Sequence, residues 1–98
     1  MIIKNINFEY NKDADCFKIG PDNSLSLRQA GYFIDWIKGN WNYCGVNYLN
    51  FTNELLFPPP SLTWKNNGAK IKLSNSEVFL NKLDLLQLRK FINGKLAE

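Results

Sequence analysis

The sequence predicts one small α+β domain: a small antiparallel sheet of four to five strands with two helices packed on one face. Three observations indicate this class. Polar and apolar residues alternate in several short stretches, as in strands that bury one face. Two amphipathic stretches carry helix-capping signals, and an Asn-Gly step is typical of a tight hairpin. Helices that cover one sheet face are a common layered arrangement. We assign residues 1–98 to one domain, since a 98-residue chain is too short for two.

The first two strands are predicted before residue 21. Residues 2–10 become a regular polar–apolar alternation from Asn5 onward, which predicts a strand. Residues 11–13 have the composition of a turn, and residues 15–20 are expected to return as the second strand of a hairpin. Gly20-Pro21 then breaks the pattern.

The first helix has a clear start signal. Ser26 is a candidate N-cap, and Gln29 stands three residues later, as a capping box requires. The apolar residues at helical spacing are Leu27, Ala30, Phe33, Ile34, Ile37 and Trp41. Gly39-Asn40 is expected to end the helix in the left-handed conformation.

The middle of the chain predicts strands separated by irregular segments. Residues 46–51 are a candidate strand, and the three prolines at 58–60 are expected to hold the chain extended without ladder hydrogen bonds. Residues 62–65 and 69–73 flank Asn66-Asn67-Gly68 and are expected to form a hairpin. Residues 77–80 are a candidate third strand.

The second helix is expected to follow the same rules as the first. Asp84 is the candidate cap, Gln87 completes its box, and Gly94 is expected near the end. The apolar stripe is Leu85, Leu88, Phe91, Ile92 and Leu96. The similarity of the two helix starts has two interpretations: a duplicated strand-then-helix unit, or the ordinary look of a capped helix that follows a sheet. We favour the second, since the flanking strands align less well.

Missing residue types argue against an enzyme. The chain has no histidine, which is the commonest general base near neutral pH and a frequent metal ligand. Asn11, Asp13 and Asp15 resemble the start of a calcium loop, but Cys16 stands where that loop needs glycine. We therefore expect no catalytic residues, no metal and no cofactor.

The two cysteines and the chain start predict a cytoplasmic protein. Cys16 and Cys44 are expected to be reduced and partly buried, because nothing else in the sequence indicates an oxidising compartment. Residues 1–5 turn polar at once, unlike a signal peptide, and no apolar run approaches the length of a membrane span.

An aromatic and asparagine-rich stretch is the first candidate binding site. Tyrosine and tryptophan give large contact areas and asparagine adaptable hydrogen bonds, a mixture found at binding surfaces. The candidate protein-binding residues are Trp41, Tyr43, Asn47, Tyr48 and Asn50. The alternative is that Trp41 closes the core while Tyr48 and Phe51 line a strand.

A basic surface in the last third of the chain is the second candidate site. The net charge is +3, and the excess of cations lies after residue 60. A nucleic-acid groove would combine these cations with a stacking aromatic residue. The candidate nucleic-acid-binding residues are Lys65, Lys70, Lys72, Arg89 and Lys90. The alternative is an ordinary solvated face.

These patterns favour a non-catalytic module that binds another protein, of the inhibitor or blocking kind. Short, asparagine-rich, histidine-free chains of this type resemble in general style small phage or toxin-immunity proteins, although no specific motif carries the resemblance. Nucleic-acid binding through the basic C-terminal third is the alternative function. Homodimerisation through an exposed sheet edge is a further option.

Overall fold

The computed structural model describes residues 1–97, and this part of the chain contains eight strands and two helices. The strands are β1 (Ile2–Ile3), β2 (Ile6–Asn11), β3 (Cys16–Ile19), β4 (Asn23–Ser26), β5 (Tyr48–Leu49), β6 (Ser61–Lys65), β7 (Gly68–Lys72) and β8 (Glu77–Leu80). The helices are α1 (Leu27–Trp41) and α2 (Lys82–Leu96).

The eight strands form two antiparallel sheets of four strands each, and every strand pairs with its neighbour in the sequence. One helix follows each sheet. We call residues 2–41 the first unit and residues 48–96 the second unit. The predicted α+β class is confirmed, with one difference: the strands divide between two sheets, where one sheet was expected. Strand β4 was not predicted from the sequence, and β5 is much shorter than the candidate strand at residues 46–51.

The same element order in both units favours the duplicated-unit interpretation over the one drawn from the sequence. Each helix begins with a capping box, formed by Ser26 with Gln29 in α1 and by Asn81 with Asp84 in α2. The prediction is therefore confirmed for α1, but Asp84 is the third residue of α2 and not its cap. Leu25 and Leu80 each stand one residue before the cap, and both are fully buried. In the structure Ser26 therefore corresponds to Asn81. The sequence similarity had aligned Ser26 with Asp84, three residues later.

Helix α1 runs past the Gly39-Asn40 pair that was expected to end it, whereas Gly94 lies near the end of α2 as expected. Helix α1 continues through Gly39 and Asn40 to Trp41, and the residue with positive φ is Tyr43, at 59°. Helix α2 contains Gly94 and is capped by Ala97. A glycine inside a helix costs about 1 kcal/mol relative to alanine, which tertiary packing readily offsets.

One cluster of buried apolar side chains spans both units. It includes Phe8, Phe17 and Phe33 from the first unit and Leu62, Ile71, Leu80 and Leu88 from the second. In β2 and β7 buried residues alternate with exposed ones, so each sheet has an inner face on this core and an outer face turned away; β3 and β4 are largely buried on both faces. The outer faces are where the two units differ.

Two-residue turns with positive φ join strands in both units. In the predicted hairpin, Asn66 and Asn67 have φ of 54° and 58°, so the hairpin is confirmed with its turn one residue earlier than the Asn-Gly step. Lys4 and Asn5, at 53° and 66°, join β1 to β2 in the same way. The corresponding connection in the second unit, between β5 and β6, is much longer and spans residues 50–60.

That long connection lies along β4 at the edge of the first sheet. We call residues 52–58 the strap. Ser24 N–H donates to Pro58 O at 3.2 Å, and Ser24 Oγ donates to Phe57 O at 3.2 Å. At the other end, Glu54 accepts a hydrogen bond from Ser26 Oγ at 2.8 Å and forms an ion pair with Arg28. The strap therefore runs antiparallel to β4 and covers part of the outer face of the first sheet.

Candidate binding surface on the second sheet

Trp41 belongs more to the core than to a binding surface. Its ring is partly buried against the apolar cluster. The Lys82 ammonium and the Arg89 guanidinium each lie 5.6 Å from its ring centre, and both cations come from α2. Cation–π contacts of this kind join the two helices. The alternative interpretation of Trp41, that it closes the core, describes its position better.

The predicted residues Tyr43 and Tyr48 are open to solvent. Tyr43 is 86% exposed and Tyr48 66% exposed, and Val46 between them is equally open at 66%. Three large side chains left uncovered within a few residues are unusual for a small domain, since each exposes area that packing would otherwise bury. Asn47 and Asn50 are also exposed.

Helix α1 anchors the exposed segment at residues 43–48 through hydrogen bonds. The Val46 carbonyl accepts hydrogen bonds from Trp36 Nε1 and from Asn40 Nδ2, each at 2.9 Å. Gly45 passes so close to the helix that a Cβ there would lie 2.7 Å from Asn40 N, which only glycine avoids. Sequence reasoning missed Trp36, although its position in the helical repeat next to Ile37 was a usable signal. The segment is therefore a loop whose backbone is anchored at Gly45 and Val46 and which carries the exposed Tyr43 and Tyr48.

The outer face of the second sheet continues from Tyr48. The strand register sets Tyr48 beside Thr63, Thr63 beside Lys70, and Lys70 beside Phe79. Residues directly opposite in antiparallel strands point to the same face, so these four side chains form a row across the sheet. Phe79 is 42% exposed, and its ring lies over Gly68, where a Cβ would come within 2.5 Å of the ring. An aromatic residue therefore stands at each end of the row, with a lysine between them.

The predicted lysines Lys65, Lys70 and Lys72 share this outer face. All three alternate with buried residues of β6 and β7 and are exposed. Lys70 forms an ion pair with Glu77 at 3.4 Å, with both side chains about half exposed, so the pair adds little stability. Three lysines against one glutamate leave the face positively charged.

A shallow cleft joins the aromatic loop to the basic face. It has a volume of about 380 Å³, and its lining includes Tyr43, Asn47, Trp64 and Lys65. The structure thus brings together residues that the sequence had assigned to two separate candidate sites. We call this combined area the open face: Tyr43, Asn47, Tyr48, Lys65, Lys70, Lys72 and Phe79.

The other predicted cations lie elsewhere. Arg89 and Lys90 are on α2, which packs against the inner side of the second sheet through Leu85 and Leu88. Arg89 stacks on Trp41, and its Nε atom is buried without a hydrogen-bond partner among the described residues. The five predicted nucleic-acid-binding residues therefore do not form one surface, and only the three lysines of the sheet do.

The outer face of the first sheet contrasts with the open face. Ser24 and Cys16 point to that side and are nevertheless buried. Phe57 of the strap lies under the Lys18 ammonium, 5.5 Å from its ring centre. Burial raises the pKa of the Cys16 thiol, with a smaller contribution from Asp15. A raised pKa lowers the thiolate fraction, so Cys16 is poorly suited to act as a nucleophile.

Neither cysteine forms a disulfide; Cys16 is buried and Cys44 is exposed. Within residues 1–97, no three His, Cys, Asp or Glu side chains lie together in a way that could hold a metal ion. Neither of the two helices in this range is long and apolar enough to cross a membrane. No family model matches the chain, and no curated protein or solved structure shows detectable similarity to it.

Proposed function

We propose that this protein is a non-catalytic module that uses the open face to bind an acidic surface of another protein. The observation that carries the proposal is the row Tyr48, Lys70 and Phe79, left uncovered on the second sheet while the strap covers the first. Aromatic residues next to cations are the composition typical of energetically important interface positions.

The charge of the open face supports an acidic partner. Among the ion pairs of residues 1–97, neither Lys65 nor Lys72 takes part and Lys70 pairs with Glu77, which also stands opposite Lys72 in the strand register. Complementary charge steers association and selects partners more than it adds affinity. A module of this size that covers an acidic surface would act by blocking it, in the manner of an inhibitor of phage or bacterial type.

The proposal places the protein in the cytoplasm, where both free thiols would stay reduced. It does not require a second copy of the chain. Homodimerisation remains a separate proposal, and light scattering across a range of protein concentrations tests it directly.

Comparison of Tyr48→Ala with Tyr32→Ala tests the proposed surface. Tyr32 is an exposed tyrosine on α1 and does not belong to the open face, so it controls for loss of any exposed aromatic residue. Proteins captured from a bacterial lysate by the wild type and both variants are compared by quantitative mass spectrometry, after circular dichroism has shown that all are folded. We expect Tyr48→Ala to lose a partner that Tyr32→Ala retains, by about 30-fold if Tyr48 contributes roughly 2 kcal/mol. Equal capture by both variants would contradict the proposal.

A nucleic-acid-binding role is the second candidate, because Lys65, Lys70 and Lys72 share one face with Tyr48 and Phe79. A nucleic acid bound there would be released as salt rises, since phosphate contacts displace counterions. Nuclease treatment of the lysate separates the two functions. Capture that survives nuclease supports a protein partner, and capture that disappears favours nucleic acid.

A further inference from the structure

The two units present equivalent sheet edges at β4 and β8. Each is the last strand of its sheet, and each leads directly into the capped start of a helix. Ser24 of β4 pairs with Lys18 of β3, and Phe79 of β8 pairs with Lys70 of β7. Ser24 and Phe79 therefore occupy corresponding positions.

The direction of the Phe79 N–H and C=O groups follows from the way hydrogen-bonded pairs alternate along antiparallel strands. Leu73 N–H donates to Ser76 O at 2.8 Å, so Leu73 and Ser76 form a hydrogen-bonded pair. Such pairs alternate with non-hydrogen-bonded ones along the ladder, which makes Lys70 and Phe79 a non-hydrogen-bonded pair. The N–H and C=O of Phe79 therefore point away from β7, out of the free edge of the sheet.

In the first unit the corresponding edge N–H is hydrogen-bonded to the chain itself. Ser24 N–H points outward and donates to Pro58 O of the strap. Asn23 Nδ2 donates to the same carbonyl at 3.2 Å. Glu54 completes the contact at the start of α1 through Ser26 and Arg28. A segment antiparallel to β4, with a bend at residues 55–57, therefore occupies this edge of the first sheet.

Within residues 1–97 no strap lies along β8, because the β1–β2 connection, which corresponds to the β5–β6 connection, is too short to form one. The strap belongs to the β5–β6 connection of the second unit, and the corresponding β1–β2 connection of the first unit is only the turn at Lys4 and Asn5. This turn reaches the same place on the other unit: Lys4 Nζ lies 3.8 Å from Asp84 Oδ2 in the first turn of α2. Within residues 1–97, no backbone hydrogen bond joins this turn to Phe79.

From this asymmetry we infer that the β8 edge binds a segment of the partner protein that runs antiparallel to β8, as the strap runs along β4. The inference rests on the proposed function, since Phe79 is part of the open face. A segment added to an edge strand gains main-chain hydrogen bonds that are independent of its sequence, and side-chain pockets then select it.

The side chain that selects the segment differs between the units. The second residue of α1 is Arg28, which pairs with Glu54 of the strap. The second residue of α2 is Leu83, which is 71% exposed. The partner segment therefore carries an apolar side chain where the strap carries Glu54, because burying Leu83 against it removes apolar surface from water.

Two synthetic peptides test the inference. One has the sequence of residues 53–60, and the other differs only by Glu54→Leu. Each is titrated to millimolar concentration into the isotopically labelled full chain, and backbone amide signals are followed by NMR. We expect the Glu54→Leu peptide to shift the amides of Phe79 and Leu83 and to leave Ser24 unshifted, because the strap already occupies that edge. The unchanged peptide should bind several-fold more weakly.

The variant Leu83→Arg reverses the preference if the inference is correct. It places at α2 the side chain that recognises Glu54 at α1, so the unchanged peptide should now bind several-fold more tightly than the Glu54→Leu peptide. Leu83 is largely exposed, so the variant is expected to fold.

Three results would overturn the inference. The first is a Phe79 amide signal that neither peptide shifts. The second is a peptide preference that Leu83→Arg does not reverse. The third is a Phe79 shift that depends on protein concentration alone, which would identify the occupant as a second copy of the chain. The first two leave the proposed function intact if Tyr48→Ala still abolishes partner capture. Equal capture by Tyr48→Ala and Tyr32→Ala rejects the proposed function instead, whatever the peptides do.

Discussion

The two units repeat one order of strands and helix, yet their outer faces are opposite in character. The first buries Ser24 and Cys16 beneath the strap, and the second leaves Tyr48 and Phe79 open. The cause is one difference in length: β1 and β2 are joined by a two-residue turn, and β5 and β6 by residues 50–60. A repeated architecture can therefore provide both a closed face and an open one without a change in its strand order.

The largest expected effect concerns whether the two units unfold together or separately. Leu25→Ala and Leu80→Ala remove corresponding buried side chains, so each is expected to destabilise the chain by about 2–5 kcal/mol. Because the apolar cluster spans both units, each variant should shift one common unfolding transition. Urea unfolding followed by circular dichroism and by tryptophan fluorescence measures this. Two transitions, of which each variant moves only one, would show that the units are independent domains.

The strap is expected to make the first capping box more important than the second. Gln29 is buried, and its side chain donates from Nε2 to Thr52 O of the strap at 2.7 Å besides bonding to Ser26 N–H. Gln29→Ala should cost about 2–3 kcal/mol, because it also leaves a strap carbonyl without its donor. Asp84→Ala removes only the box at α2 and an exposed contact to Lys4, at about 1 kcal/mol. Equal losses in chemical denaturation would show that the strap contact adds no stability.

The smallest expected effect is a pH dependence at the strap. Hydrogen bonds from Ser26 and Arg28 lower the pKa of Glu54 from its usual value of 4.5. A group with a lowered folded-state pKa stabilises the fold above its unfolded pKa and loses that contribution as pH falls through the folded value. The difference in unfolding free energy between wild type and Glu54→Gln should therefore be largest above pH 4.5 and should close below it. The matched control is Glu77→Gln, which removes the acid from an exposed pair on the open face and is expected to change stability less. If the difference in unfolding free energy between wild type and Glu54→Gln persists at low pH, Glu54 does not have the lowered pKa described here.

Local chemistry explains which parts of the fold the sequence could predict. Ser26 and Gln29 form the expected box, and the expected hairpin forms with its turn at Asn66-Asn67, one residue before the Asn-Gly step, because these signals act over a few residues. The start of α2 was misplaced since Asn81-x-x-Asp84 and Asp84-x-x-Gln87 both satisfy the capping pattern. The local pattern does not choose between these two starts, and the structure begins α2 at Lys82, directly after Asn81.

The candidate site was only half predictable for the same reason. Alternation correctly set Lys70 and Lys72 on one face of β7. Nothing local could show that Tyr48 would join them, since this depends on which strand pairs with β6. The strap was less visible still: its prolines indicated an extended chain, but its partner Ser24 lies more than thirty residues away.

The strap also sets how the chain would respond to a protease. Leu56 is 90% exposed at its centre and is the obvious cleavage point. A cut there would leave β5 with the N-terminal fragment, still paired to β6 of the other. It would leave Phe57 and Pro58 with the C-terminal fragment, still bonded to Ser24. The two fragments would therefore remain joined by the β5–β6 pairing and by the contacts of Ser24 with the strap. The cleaved protein is expected to migrate as one species until it is denatured.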